Sequence, residues 1–303
     1  MTENELFTMV GIRSEPAAPK KKVSRLKGFP WISVILMGVI VLCCLFAEVL
    51  MTKDPSYLDL KNFNIAPNTE FLFGTDTLGR DIFSGIWYGG RISITIGFLA
   101  TLISTFIAVV YGSVSGIAPA WLDTLMMRFT EVFLSVPGLL LVLFLQAILG
   151  EANVLTLSIV IGVTGWASIA KVIRTEVRQI RNSEYVVASK CMGGRFFHIL
   201  RKHLAPNFIA SIMFMVVMNV RGAIGSESTL SFMGMGLGLE IISWGSMLSL
   251  SEKALLTDSW WIIIIPGAFL VTLLMCLTNI GNYLRKAANR KESNLKWKHY
   301  EIL

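Results

Sequence analysis

The chain has 303 residues, 54% hydrophobic and 16% charged, with a mean hydropathy of +0.64. Soluble domains carry about 25% charged residues, so these figures argue against a soluble enzyme, and the apolar excess falls in blocks, as in a polytopic membrane protein. The net charge of +7 does not mark a nucleic-acid binder, because the basic residues cluster beside the apolar blocks and not on one soluble face.

In chain order, residues 1–28 form a polar tail. The run at 31–51, within a first membrane segment at 29–51, is too long for a signal-peptide core and lacks an A-x-A exit, so it reads as a retained span. Residues 52–91 form a polar loop. A bilayer core needs about 20 apolar residues per helix, and the core at 92–285 supplies five further spans. The second is 92–117, with Gly97 and Gly112 as small packing positions. The third, 129–149, bends near Pro137; the fourth, 154–170, is short and contains Gly162 and Gly165. The fifth is 208–224. The sixth is 261–284, with Pro266 in its first turns, and a tail follows at 286–303. The expected fold is all-α and integral to the membrane, with six transmembrane helices.

Six spans put both termini on one side, and lysine and arginine decide which. The N-terminal tail carries Arg13, Lys20, Lys21, Lys22, Arg25 and Lys27; the connector after the fourth span carries Lys171, Arg174, Arg178, Arg181, Lys190, Arg195, Arg201 and Lys202. The C-terminal tail is equally basic, from Arg285 to Lys298. The opposite side has Lys53, Lys61, Arg80 and Arg91 in the first loop and Lys253 in the last. Both termini and the fourth connector are therefore expected in the cytoplasm, with 52–91 outside and the turn around Asp123 and Arg128 inside.

The fourth connector reads EYVVASKCMGGRFFHILRKHLAPN over 184–207. Asn182 or Ser183 can cap a helix whose first turn holds Glu184, where the dipole favours a carboxylate. Tyr185, Ala188 and Met192 make an apolar stripe at helical spacing. Gly193-Gly194 ends that helix; Phe196, Phe197, Ile199 and Leu200 begin a second, and Pro206 suits the first turn of the fifth span. Composition alone also allows a basic amphipathic helix lying on anionic lipid.

The order of residues in this connector resembles the EAA loop of ABC-importer permeases, carried here by Glu184, Tyr185, Val186, Ala188, Ser189, Gly193, His203, Leu204, Pro206 and Asn207. Ser189 stands in place of the usual second alanine. The resemblance implies a type I importer permease fold whose coupling helix docks into a cleft on a separate ATPase subunit.

Three further stretches narrow the resemblance. FGTDTLGRDIFSGIWYGGRIS, 73–93, is similar to the signature before the second span of C-type permeases in the peptide/nickel importer family. Its Asp76, Arg80 and Asp81 either pair on the outer surface or, the expectation favoured for the individual charges, lie on an ordinary solvated turn leading into an interfacial helix. WLDTLMMRFTEVFLSVPGLLL, 121–141, resembles the segment D-x-x-x-M-R-x-x-D-x-x-x-x-x-P, with Glu131 in place of the second aspartate and Asp123 and Arg128 as boundary anchors. ESTLSFMGMGLGLEIISWGSML, 227–248, resembles E-x-x-L-S-F-L-G-L-G…S-W-G-x-M-L, with Leu239-Glu240 near the place of a usual Pro-Pro. Its glycines permit close backbone approach, as in a re-entrant or gate segment. The resemblance covers about residues 73–285.

Asn219, Arg221 and Glu227 lie in or beside the fifth span. Ionisable groups there face a cavity or a partner, so these three are candidates for the translocation path or for contact with a partner permease; alternatively Arg221 reaches the outer interface. Met213, Met215, Met218, Met233 and Met235 read as packing and not as a soft-metal path. No G-x-x-x-x-G-K-[ST] occurs, and no catalytic set converges. His198, His203 and His299 all fall on the cytoplasmic side, so no metal site is expected. Cys43, Cys44, Cys191 and Cys276 read as free thiols.

The resemblance implies a non-catalytic permease of an ATP-driven importer of oligopeptides or dipeptides in a bacterial cytoplasmic membrane. It implies no cofactor in this chain, ATP and magnesium being bound by partner subunits. The implied partners are a homologous second permease, two ATPase subunits and an extracytoplasmic substrate-binding protein. A nickel or metallophore importer of the same family is the alternative, and a self-contained secondary transporter, which needs internal repeats, is the rival from another class.

Overall fold

The structure, a computed structural model, describes residues 28–181, Cys191 and 205–300. Among the described residues there is no strand, only an isolated antiparallel bridge between Thr75 and Asp81.

Helix α1, Trp31–Leu45, is followed after a break at Phe46 by the single turn α2, Ala47–Leu50. The unbroken first span expected from the apolar run is therefore corrected to a shorter helix and a stub. Residues 51–81 are irregular apart from a 3-10 turn at Leu60–Asn62.

Helix α3, Ile82–Ile117, has 36 residues and starts ten positions before the expected span. Asp81 explains the early start: its carboxylate accepts from the Ser84 N–H at 3.0 Å and caps the helix. At 1.5 Å per residue the helix is about 54 Å long, well beyond a hydrocarbon core of about 30 Å. It is the axis of the molecule, and α1 and the helices at Val154–Thr164, Ala167–Ile180, Ala205–Phe232 and Trp244–Leu248 all pack on it. Three apolar clusters lie along it in order: around Ile82 and Ile86 with Trp244 and Ile262; around Ile96 and Ala100 with Leu157 and Leu230; and around Ala108 with Trp166, Ile173 and Val177.

The third span is not one bent helix. Helices α4, Ala120–Ser135, and α5, Gly138–Leu149, meet at 90°. Pro137 cannot donate to a helical ladder, and it pushes Val136 into the extended region, where ψ is 130°. The fourth span also divides, into α6, Val154–Thr164, and α7, Ala167–Ile180, bent by 46°. Asn153 and Thr156 form a reciprocal capping box at the start of α6. Helix α8, Ala205–Phe232, runs eight residues past the expected end of the fifth span, with Pro206 in its first turn. Short helices α9, Trp244–Leu248, and α10, Ser251–Leu255, lead to α11, Trp261–Tyr300, which continues through Pro266.

Among the described residues two unbroken helices, α3 and the Trp261–Ala287 part of α11, are long and apolar enough to cross a membrane, and counting each bent pair as one span gives up to four. The wide apolar surface left exposed, from Ile32 and Val49 to Phe106, Phe144 and Met275, is what a bilayer-embedded chain presents.

Candidate functional site

The coupling-loop residues singled out in the sequence, Glu184, Tyr185, Ala188, Ser189, Gly193 and His203, lie outside the described residues; Pro206 is within α8. What the structure does place is the support on which that loop is mounted.

Helix α7 ends at Ile180, where the loop begins. Its docking on α3 is set by two glycines. A Cβ at Gly112 would stand 2.6 Å from the Ala170 carbonyl, and one at Gly116 would stand 2.6 Å from Val177 Cγ1. The absent side chains let the two backbones touch. A charged clamp then locks the contact. Asp123, in the first turn of α4 and 5% exposed, accepts from Arg174 through both Nε and Nη2, the latter at 2.6 Å. It also accepts from Arg178 Nη1 at 3.0 Å and from the Ser115 hydroxyl at 2.7 Å. Arg181 Nη1 donates to the Gly116 carbonyl at 3.2 Å. The Arg174 hydrogen bonds hold the Asp123 carboxyl at about 2, below its ordinary 3.8, against the opposing pull of burial. An aromatic hub completes the junction: the Tyr111 ring packs tilted against Trp166 with centroids 4.5 Å apart, and its hydroxyl donates to the Met126 carbonyl at 2.6 Å. The ends of α3, α4 and α7 are thus one unit.

Towards the other end of α3, Glu227 is fully buried. Four serine hydroxyls donate to it: Ser93 at 2.9 Å and Ser228 at 3.2 Å to Oε2, Ser231 at 3.1 Å and Ser243 at 2.7 Å to Oε1. Ser93 also accepts the Trp244 N–H at 3.3 Å, and Trp244 Nε1 donates to the Ile86 carbonyl at 2.9 Å. This cage explains why α8 continues beyond residue 224, since a charged group inside a helix bundle persists only with partners. Close packing supports it: a Cβ at Gly245 would stand 2.7 Å from Ser228 Cα.

Of the three path candidates, Glu227 sits in this cage, Asn219 donates to the Ser104 hydroxyl on α3, and Arg221 is exposed. Arg221 and Glu227, six residues apart on α8, therefore have different surroundings.

The solvated turn expected at 76–81 is corrected. Asp76, Arg80 and Asp81 are 6%, 8% and 4% exposed. Asp76 and Arg80 form an ion pair at 2.9 Å, and Asp81 takes hydrogen bonds from Thr52 and Ser84. The loop folds back over these side chains, which a local reading of turn residues cannot show. Gly79, at φ +76° with the Asp59 backbone against it, is the position where only glycine fits.

Sequence reading named Asp123 but missed Arg174, Arg178 and Ser115 as its partners, and it missed the serines around Glu227. The signal for the first was available, two arginines four apart on an amphipathic helix. No local signal marks the second, because Ser93 and Ser243 are 150 residues apart in the chain. All four cysteines are free.

Long apolar helices broken at proline and glycine, with a clamped aspartate and a caged glutamate buried among them, define a helical integral membrane protein of the transporter class. The chain belongs to the family of binding-protein-dependent transport system inner membrane components, which matches residues 108–290. It is 40% identical over 228 residues to the dipeptide transport system permease DppC of Bacillus subtilis, covering 75% of this chain and 71% of that one. It is 36% identical over 260 residues to the oligopeptide permease OppC of the same organism (86% and 85% covered), and 33% identical over 262 residues to OppC of Haemophilus influenzae (86% and 84%). A chain of the inward-facing MetNI methionine ABC transporter shares the fold, with TM-score 0.52 and 17% identity over 67% of this chain and 96% of that chain.

Proposed function

We propose that this chain is the C-type permease of an ATP-driven importer of dipeptides or oligopeptides. The observation that carries the reading is identity of 36–40%, over most of the chain, to relatives named for dipeptide and oligopeptide transport. The chain works as a non-catalytic subunit beside a second, homologous permease, two ATPase subunits that bind ATP and magnesium, and an extracytoplasmic binding protein. It crosses the bacterial cytoplasmic membrane six times, with both termini and the 184–207 loop in the cytoplasm. Glu184, Tyr185, Ala188, Ser189, Gly193, His203 and Pro206 make the ATPase contact, and Asn219, Arg221 and Glu227 lie beside the path.

The clamp gives this reading its mechanics. Nucleotide binding moves the 184–207 loop, and the loop pulls on α7. Because Asp123 ties α7 to α4 and Ser115 ties α3 to the same carboxylate, the three helix ends move together. A floppy connection would dissipate the displacement.

The test is reconstitution. Vesicles containing the full complex should take up radiolabelled trialanine or dialanine only with ATP and the binding protein present. Peptide uptake by this chain alone, without ATPase subunits, would overturn the reading.

A further inference from the structure

The glycine-rich segment 233–243 between α8 and α9 is gripped at both ends and at its crown. Its two feet stand on one carboxylate, since Ser231 and Ser243 both donate to Glu227 Oε1, at 3.1 and 2.7 Å. The Ser231 hydroxyl also accepts the Leu237 N–H at 3.0 Å, and Gly236 is packed against Ser231. The crown differs. Leu239 and Glu240 are exposed, and a Cβ at Gly234 or Gly238 would meet nothing within 4 Å. Among the described residues, Arg80 reaches this crown from another part of the chain, its Nη1 donating to the Leu239 carbonyl at 2.8 Å.

Arg80 belongs to the 52–81 loop, and it is aimed. Its Nε pairs with Asp76 Oδ2 at 2.9 Å, while Asp76 Oδ1 accepts the Leu78 and Arg80 N–H groups at 2.8 and 2.9 Å. The planar guanidinium can satisfy the carboxylate and the carbonyl together because its donors form a fixed fork. The loop is fastened in turn to the first residue of α11, where Trp261 Nε1 donates to the Thr75 carbonyl at 3.1 Å.

Building on the permease reading above, we propose that Arg80 is a positioning residue for transport. It ties the crown of segment 233–243 to the outer loop, so that displacement of the loop tilts the crown about its feet on Glu227. The asymmetry carries this inference: the feet are bonded inside the helix bundle, whereas the crown has open space around it and a tether to a different structural unit. Arg80 thereby connects the outer loop to the crown of this segment.

The experiment measures the tether directly. In a background with the four native cysteines replaced by alanine, spin labels at Leu58→Cys and Glu240→Cys, both exposed, report the loop-to-crown distance in the assembled complex in nanodiscs. Trialanine uptake is measured in parallel. A narrow distance distribution is expected with Arg80, and a broadened, shifted one in Arg80→Lys and Arg80→Ala, with uptake about tenfold lower. Arg80→Lys decides if Arg80→Ala does not assemble, because lysine keeps the charge beside Asp76 but not the fork. A merely structural role would lower yield without widening the distribution. An unchanged distribution in assembled Arg80→Lys complex overturns the proposal, as does a widened one with wild-type uptake. Absence of peptide uptake in the Arg80 complex, with the distance still dependent on Arg80, would sink the cargo reading and leave the tether standing.

Discussion

Arg174 closes a two-pronged grip on Asp123 across the junction of α7 and α4, six residues before α7 ends at Ile180. Arg178 reaches the same carboxylate from one turn further on. The pair differs in burial: the Arg174 side chain is 22% exposed and that of Arg178 is 46% exposed.

That difference ranks the two arginines. Arg174→Ala strips the buried Asp123 carboxylate of its two-pronged partner and should cost about 3–5 kcal/mol, whereas Arg178→Ala removes a half-exposed partner worth less than about 1 kcal/mol. Replacing both partners, in Asp123→Ala/Arg174→Met, should recover most of the loss. Unfolding midpoints of the purified complex in detergent check the order; equal losses for the two single variants would contradict it.

The clamp also has a pH signature. A carboxyl held below its ordinary value stabilises the fold above that value, and the contribution is lost as pH falls through the folded value. Asp123, held at about 2, should keep α4 on α7 down to about pH 4 and release it between there and pH 2. Hydrogen exchange of α7 amides across this range, compared with Asp123→Asn, reads the effect.

Glu227 is expected to tolerate glutamine better than leucine. Glu227→Gln keeps the shape and one accepting oxygen, and a serine hydroxyl can turn to accept from the new amide; the loss should stay near 1–3 kcal/mol. Glu227→Leu leaves the Ser231 and Ser243 hydroxyls without their acceptor and frees both feet of segment 233–243. Limited proteolysis between residues 233 and 243 should rise in the leucine variant and stay near wild type in the glutamine variant.

Close approach and open space should separate the glycines. Gly116→Leu drives a side chain into Val177, which is fully buried, and should prise α7 from α3 and abolish uptake. Gly222, with nothing within 4 Å of an added Cβ, should accept alanine without loss, since alanine favours the helix by about 1 kcal/mol. Uptake and thermal stability of the two variants, measured side by side, check the contrast.

Gly193→Pro acts on the coupling loop proposed above. It should remove stimulation of ATP hydrolysis by binding protein while leaving insertion and subunit assembly intact. Assembly scored by co-purification, together with hydrolysis rates with and without binding protein, separates the two effects.

Much of the helical framework was legible in local composition. Apolar runs near 20 residues located α1, α3, α8 and α11, and Pro137 marked a bend, because helix formation and its interruption are governed by near neighbours. The lengths were not legible. Helix α3 begins at Ile82 because Asp81 caps it, and α8 persists to Phe232 because Glu227 is received by serines from other segments. The charged turn at 76–81 looked solvated because the residues that cover it are remote in sequence.

The sequence by itself determined the membrane character, the bend at Pro137 and, through its ordered motifs, the importer family. Only the tertiary structure decided which charges are buried and with whom: Asp123 with Arg174, Glu227 with Ser93 and Ser243, Arg80 with the Leu239 carbonyl. The physical reason is that a buried polar group is stable only beside specific partners. Those partners are brought together by tertiary packing over separations of 16 to 159 residues, a distance at which no local pattern in the chain records the match.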